Sequence, residues 1–548
     1  MTERARTAGW LAGIGAGLLL AASGALAGPA GFLLRRLPRR AGRYLLAGEL
    51  VPLHARILGI YLGLGLAVIC GLVLGYRHLR RRGGFAFLAR GEGKFLFALV
   101  ALLALLLLSL SVNRVLWDDE IEHVHASWYV LQGQVPYRDF FEHHHPLLWF
   151  LLAPLIAWLG EGLAVLAAGR MLMLAAALGI AWLTWRIARR AAGHAEAGLF
   201  AVAVLFSSFM FVPCVMEVRP DVPMVLLALA AVERLLVFLG EGRPGALLAA
   251  AFFAALSFLF LQKAVFLLPA AAALLCIRRW QGAIPSALFW KALAVFLLPQ
   301  FIFAAWLILT GAFQDYFFCN WLLNVKRPGL YSLWLSVGRM ALVNFAFWLS
   351  LPAACLRALR AHGSPAALKV VSWFGLSVLA AMVLLPNPAD RHFLLTLPLL
   401  SVLVGAWAAD RSRFPLSGRM RKIYLACLLL VPLPFLAASS FPMNGVQLEK
   451  IAYVLRLSAA NEKVLDGRNE YNLFRPDVHY FWFQVDAGEM LDHYRRLRGG
   501  RHGDYDACRL IRGQKPRFIL LRSREWANCD LWREYLLTPY EDLFIRRP

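Results

Sequence analysis

The chain has 548 residues, 60% of them hydrophobic, and a mean hydropathy of +0.61. Those values exclude an ordinary soluble protein, because several apolar runs reach the about 20 residues needed to cross a ~30 Å hydrocarbon core. The net charge of +24 does not point to nucleic acid: the basic residues gather in short clusters beside apolar runs, where the positive-inside rule places them in the cytoplasm.

The N-terminal 92 residues read as a membrane extension with apolar runs at 10–33 and 53–75. Residues 1–91 hold thirteen Arg against Glu3 and Glu49. The first run contains Ala-Leu-Ala-Gly, as a cleavable leader would. It nevertheless continues to Leu34 and is followed by Arg35, Arg36, Arg39, Arg40 and Arg43, so it reads as a retained segment.

The membrane core is expected over residues 93–441, with spans at 94–114, 164–187, 196–215, 221–240, 245–262, 264–278, 289–310, 335–358, 370–386, 391–409 and 423–441. That makes about 11 core spans plus up to two N-terminal ones. The run Pro146 to Leu159 is too short to cross and suits a re-entrant segment. With it left out of the count, every basic cluster from Arg77 onward falls on one side, and the loops 115–145, 216–221, 311–334 and 386–391 share the other side with the tail. The tail, 442–548, mixes charges of both signs and reads as a small α/β domain. Strands are predicted at Lys463-Val464-Leu465 and over Pro516 to Leu521, and helices at Gly488 to Arg498 and Trp526 to Leu537. Cys508 and Cys529 could pair in an oxidising compartment.

The chemistry concentrates after the first core span. Between Asp118 and His145 lie six carboxylates, five histidines and one arginine. Such a density of proton-transfer and ligand groups at one bilayer face points to a site. Asp118, Asp119 and Glu120 stand at the water boundary, where a carboxylate can take a proton from an acceptor hydroxyl. The spacing of Ile121, Val124, Trp128 and Leu131 predicts an amphipathic helix lying on the surface. Glu142, His143 and His144 could bind a divalent metal, although the spacing matches no common site and a hydrogen-bonded cluster is the alternative.

On the same side are Glu217, Arg219 and Asp221, the lone Lys263 inside an apolar stretch, and Arg391-His392 at the start of a span. Lys263 and Arg391 suit a phosphate whose lipid chain stays in the membrane. Arg170 reads as a structural salt-bridge partner inside the bundle. Lys326, Arg327 and the aromatic residues Tyr316, Trp321 and Tyr331 suit either a carbohydrate or an interfacial aromatic belt.

In order, Asp119-Glu120, Pro136-Tyr137-Arg138-Asp139-Phe140, Glu142 before Pro146-Leu147, Arg170, Arg219-Pro220-Asp221, Lys263 and Arg391-His392-Phe393-Leu394-Leu395 resemble the GT-C superfamily of lipid-linked sugar transferases. The nearest branch looks like the protein O-mannosyltransferase, aminoarabinose transferase and galacturonosyltransferase-like group. The likeness runs from about residue 94 to 441, more weakly through the tail, and not over residues 1–92.

The resemblance implies an inverting glycosyltransferase of the bacterial inner membrane, with its site and tail periplasmic. It would move a sugar from a polyprenyl-phosphate donor to an envelope acceptor: lipid A or core, another glycan, or a protein. Asp119 would be the base, with Asp118 and Glu120 beside it and Asp221 a second acidic residue; Lys263, Arg391 and Arg219 would hold the donor phosphate. No cofactor is implied beyond a candidate divalent metal. Aminoarabinose transferases carry Glu-Lys-Pro-Pro where this chain has Glu142-His143-His144-His145-Pro146, so imidazoles stand in place of a fixed cation. The alternative function is a transporter or flippase of lipid-linked saccharides, which calls for midplane polar groups and repeats.

Overall fold

The computed structural model describes residues 91–325, 338, 341–360, 365–385, 390–410, 418–434, 444–486, 489–498, 502–520, 529, 531, 533–540 and 542–548. The expected spans at 10–33 and 53–75, and the loop residues Lys326, Arg327 and Tyr331, lie outside these. The protein is a polytopic helical membrane bundle carrying a small C-terminal α/β unit.

The helices are α1 (Gly91–Asn113), α2 (Asp118–Leu131), α3 (Leu147–Leu159), α4 (Ala164–Ala192), α5 (Ala195–Phe206), α6 (Asp221–Glu241), α7 (Pro244–Phe260) and α8 (Leu268–Trp280). They continue with α9 (Ser286–Leu309), α10 (Phe345–Arg360), α11 (Ala366–Val383), α12 (Leu397–Ala409) and α13 (Gly418–Leu429), and in the tail α14 (Gly445–Arg456), α15 (Met490–Arg498) and α16 (Ala507–Gln514). Among the described residues, α4, α6, α9, α11 and the Lys94–Ser111 stretch of α1 are long and apolar enough to cross a membrane. With 13 residues, α3 is about 20 Å long, short of the hydrocarbon thickness, as its sequence suggests.

The core forms where apolar faces meet. α6 and α7 pack as a hairpin, and α5 lies between α4 and α12. The α5–α12 crossing needs a glycine. A Cβ on Gly405 would fall 2.6 Å from the Ala201 Cα, so two backbones meet there with no room for a side chain.

Three expected spans are shorter as helices than their apolar runs. The 196–215 segment is helical to Phe206 and resumes only as the short turn Phe211–Cys214. Lys263 lies in a 3₁₀ turn, Gln262–Leu267, ahead of α8, and Arg391 lies in another, Asp390–Leu395, ahead of α12. Such turns release the side chain from the helix wall and present it at the bundle's end.

The tail holds a four-stranded sheet of β1 (Val464–Leu465), β2 (Phe518–Leu520), β3 (Tyr535–Leu537) and β4 (Leu543–Arg546), in the order β1-β2-β4-β3. β1 runs parallel to β2, while β4 is antiparallel to both its neighbours. Tyr535, Leu536 and Leu537 are therefore strand, not the helix that the Trp526–Leu537 periodicity predicts. Their backbone is claimed by β4 across a short connection, with Tyr535 opposite Arg546 and Leu537 opposite Phe544, a cross-strand pairing that overrides the helical spacing. Cys508 and Cys529 form a disulfide.

α2 is the other correction. Its sequence suits a surface helix, yet Asp119 through Tyr129 are all buried. The tail covers it. The His125 ring bridges the Asp477 carboxylate (2.7 Å) and the Leu473 carbonyl (2.9 Å), and the Tyr129 hydroxyl donates to Asp477 at 2.8 Å. The Trp482 indole N–H donates to the Phe141 carbonyl at 2.9 Å and the Tyr480 hydroxyl to the Tyr137 carbonyl at 2.6 Å. The polar face meant for water thus meets polar groups of the tail.

Candidate active site

The site is built around the first turn of α2. Asp118, Asp119 and Glu120 open this helix, where carboxylates complement the positive end of its dipole. Glu120 also accepts from the Trp117 backbone N–H at 3.2 Å, closing the turn as an N3 glutamate does. Helical geometry then sends the three carboxylates in different directions, about 100° apart.

Glu120 points into the bundle. Arg170 of α4 grips it with two hydrogen bonds, Nε at 2.7 Å and Nη2 at 2.6 Å, and the Val218 N–H adds a third at 3.3 Å. The same guanidinium reaches the carbonyls of Ser111, Arg114 and Val115 at 2.9–3.3 Å. Both residues are buried. Arg170 is the salt-bridge partner its sequence position suggests, and it holds Glu120 apart from the ionic cluster around Asp119.

Asp119 points the other way, toward two cations. Its Oδ2 is paired with both the Arg219 and the Arg391 guanidinium. Arg219 also contacts Asp221 through Nε (3.2 Å) and Nη2 (3.1 Å), and Lys263 Nζ donates to the other Asp221 oxygen at 2.9 Å. Glu217 closes the cluster, 3.5 Å from Arg219 and 3.3 Å from Arg114. Burial pulls the Arg219 guanidinium down to about 10, which leaves it a cation at neutral pH. Trp117 lies against Arg391 and Arg114, its ring centroid 5.8 and 5.6 Å from their guanidinium carbons. Asp119 thus pairs with a guanidinium 272 positions away in the chain.

Asp118 is exposed and faces a cavity of about 920 Å³ between the start of α2 and the tail. Glu122, one turn on, lines the same space, with Lys450, Arg468, Gln484 and Tyr540 supplied by the tail. The tail's contribution was not visible in the sequence, because its lining residues are spread from 446 to 542 without a motif.

Behind Glu122 lies a histidine group. His144 Nδ1 is 3.1 Å from Glu122 and 3.8 Å from Glu142. Burial pushes the Glu122 carboxyl up to about 7 and the Glu142 carboxyl well above the usual range. Burial likewise pulls His123 down to about 3, and the Trp149 indole donates to its Nδ1 at 3.1 Å. His145 is turned away: its Nδ1 pairs with the Phe258 carbonyl at 2.6 Å and its Nε2 with the Tyr316 hydroxyl at 2.9 Å. Sequence reasoning missed Glu122; its i+4 relation to Asp118 on a helix was the available signal.

Residues 144–308 match the family model described as dolichyl-phosphate-mannose-protein mannosyltransferase. No curated protein matches the chain. Among solved structures it is similar to ArnT from Cupriavidus metallidurans bound to undecaprenyl phosphate, with a TM-score of 0.59 and 11% identity, covering 83% of this chain and 98% of that one. The apo state of the same ArnT gives 0.59 and 12% over the same shares. The apo oligosaccharyltransferase of Archaeoglobus fulgidus gives 0.52 and 11%, over 78% of this chain and 69% of that one. At such identities the likeness is one of fold.

Proposed function

We propose, from the premise that this chain has the GT-C fold, that it is a membrane glycosyltransferase moving a sugar from a polyprenyl-phosphate donor to an envelope acceptor. The observation that carries this reading is the sharing of Asp119 and Asp221 among three cations, Arg219, Arg391 and Lys263, at the end of an apolar bundle. A lipid phosphate, like those carboxylates, offers anionic oxygens that accept charge-assisted hydrogen bonds from guanidinium and ammonium groups. On entry it takes over Arg391, Lys263 and part of Arg219, which frees Asp119.

The freed Asp119 carboxylate then accepts the proton of the acceptor hydroxyl. The hydroxyl oxygen bonds to the anomeric carbon from the face opposite the phosphate, the carbon–phosphate-oxygen bond breaks, and polyprenyl phosphate leaves with the bonding pair. The sugar is inverted. The three cations stabilise the charge that grows on the leaving phosphate. Asp221 holds Lys263 and Arg219 in place, and Asp118 faces the cavity from which the acceptor enters. Glu120 serves the fold.

The Cys508–Cys529 disulfide supports a tail, and with it a site, in the periplasm of a bacterial inner membrane. The arginine clusters at the opposite helix ends, such as Arg189 and Arg190 closing α4 and Arg278 and Arg279 closing α8, support the same orientation. The domain division at residues 92/93 and 441/442 is part of this reading. The test is release of free polyprenyl phosphate by the purified protein from a panel of polyprenyl-phosphate sugars, with envelope extract as acceptor. Release from one donor names the sugar; a folded protein that releases none with the whole panel refutes the transfer reading.

A further inference from the structure

One side chain each from Glu122, Glu142, His143 and His144 places a ligand atom within 4.8 Å of the other three, and all four residues are buried. This group lies beside the ionic cluster but is differently made. The groups around Asp119 are guanidiniums, whereas those around Glu142 are imidazoles. The Glu142 carboxyl faces the Glu122 carboxyl within hydrogen-bonding reach, and its Oε1 takes no further donor, so two buried carboxyl groups share a space that a cation would neutralise.

We propose that Glu122, Glu142, His143 and His144 form a binding site for one divalent cation of the zinc class. Two imidazole nitrogens and two carboxylate oxygens are a borderline-soft donor set that suits tetrahedral Zn²⁺ or Co²⁺; Mg²⁺ prefers oxygen ligands and retained water. Metal–ligand distances of about 2.0–2.1 Å put neighbouring ligand atoms about 3.3 Å apart. The widest of these separations therefore closes by about 1.5 Å to reach that geometry, a rotamer adjustment.

The backbone beneath the site is fixed for this. The His143 carbonyl accepts from Gln262 Nε2 at 3.1 Å and from Asn324 Nδ2 at 3.0 Å, and the His144 carbonyl from the Tyr137 hydroxyl at 2.6 Å. Tyr137 itself holds a φ of +70°, a left-handed conformation that a bulky residue keeps only where its surroundings dictate it. Such outer contacts orient ligands before the ion arrives. His145 is committed to Phe258 and Tyr316 and is not a ligand. Glu122 also lines the large cavity, which gives the ion a path from water.

The cation ties the 142–145 loop to α2 within one turn of Asp119. It is a positioning element: its ligands hold the start of α2, and no bond of the transfer reaction is made or broken on it. The site depends on this chain's own residues and stands whether or not the transfer reading does.

The experiment uses untagged full-length protein in detergent, stripped with chelator, reloaded with Zn²⁺ or Co²⁺ and dialysed. Elemental analysis is expected to find one ion per chain, and bound Co²⁺ to show the intense visible absorption of a tetrahedral site. His144→Ala and Glu142→Gln are each expected to weaken retention at least ~10-fold. Should a variant fail to fold, the wild-type stoichiometry and Co²⁺ spectrum decide. A folded wild type that retains no ion, an octahedral Co²⁺ spectrum, or retention unchanged in both folded variants overturns the proposal. No donor or acceptor is present, so this result and that of the transfer assay can differ.

Discussion

Asp119 and Glu120 are neighbours on one helical turn, yet they belong to two differently built regions. Glu120 is sealed against a single arginine, Arg170, which also donates to the carbonyls of Ser111 in the last turn of α1 and of Arg114 and Val115 just after it. Asp119 is shared between two arginines drawn from distant segments, with Asp221 and Lys263 alongside. The first region is closed: each polar atom has a fixed partner, and nothing is left for a ligand. The second is proposed to be exchangeable, because an incoming anion can take over the cations that Asp119 holds and leave its carboxylate free to accept a proton. Identical chemistry one residue apart is thus assigned to scaffold or site by what surrounds it.

Breaking the closed region gives the largest effect. Arg170→Ala leaves the Glu120 carboxylate buried without its counter-ion, which costs about 3–5 kcal/mol. The expected result is a large loss of thermal stability in detergent, whatever ligand is present. If Arg170→Ala unfolds like wild type, the distinction between the two regions fails.

Lys263→Ala is the matching test of the open region. A hydrogen bond between charged groups contributes about 1.5–3 kcal/mol. Equilibrium binding of labelled polyprenyl phosphate should therefore weaken by roughly 10- to 150-fold, with stability changed far less than in Arg170→Ala. The reverse pattern would make Lys263 a scaffold residue.

The smallest effect concerns the tail, which packs on α2 through His125 and Tyr129. Burial pulls the His479 imidazole down to about 4, and its Nδ1 accepts the Phe481 N–H at 3.0 Å. A depressed histidine favours the neutral form in the fold. Its contribution is complete above about pH 6.5 and is lost as pH falls toward 4. Because the ring is only partly buried, the loss is on the order of 1 kcal/mol. Unfolding measured from pH 7.5 to 4.5 should flatten by that amount in His479→Gln; an unchanged slope would assign the acid sensitivity elsewhere.

Much of this was legible in the chain, for definable reasons. Long apolar runs mark the bundle because a bilayer imposes length and composition. The cluster members Asp119, Arg219, Asp221, Lys263 and Arg391 could be picked out because charges next to spans are costly and few. What was not legible is direction. Sequence places Asp118, Asp119 and Glu120 together, and only the pitch of α2 sends them to the cavity, the arginines and Arg170. Glu122 looked like one more solvated residue of an amphipathic helix until the tail covered that face. The strand at Tyr535–Leu537 was hidden because its helical spacing is local while its partner, β4, lies beyond a turn.

The central claim is that Asp119 is the proton acceptor of a sugar transfer from polyprenyl phosphate. It is tested most directly by comparing wild type and Asp119→Asn for polyprenyl-phosphate release under saturating donor, with donor binding measured on the same samples. The account predicts that the variant folds, binds donor at least as well as wild type because the arginines are freed, and turns over about 10²- to 10⁴-fold more slowly. Turnover within a few-fold of wild type, with donor bound and the protein folded, would contradict it.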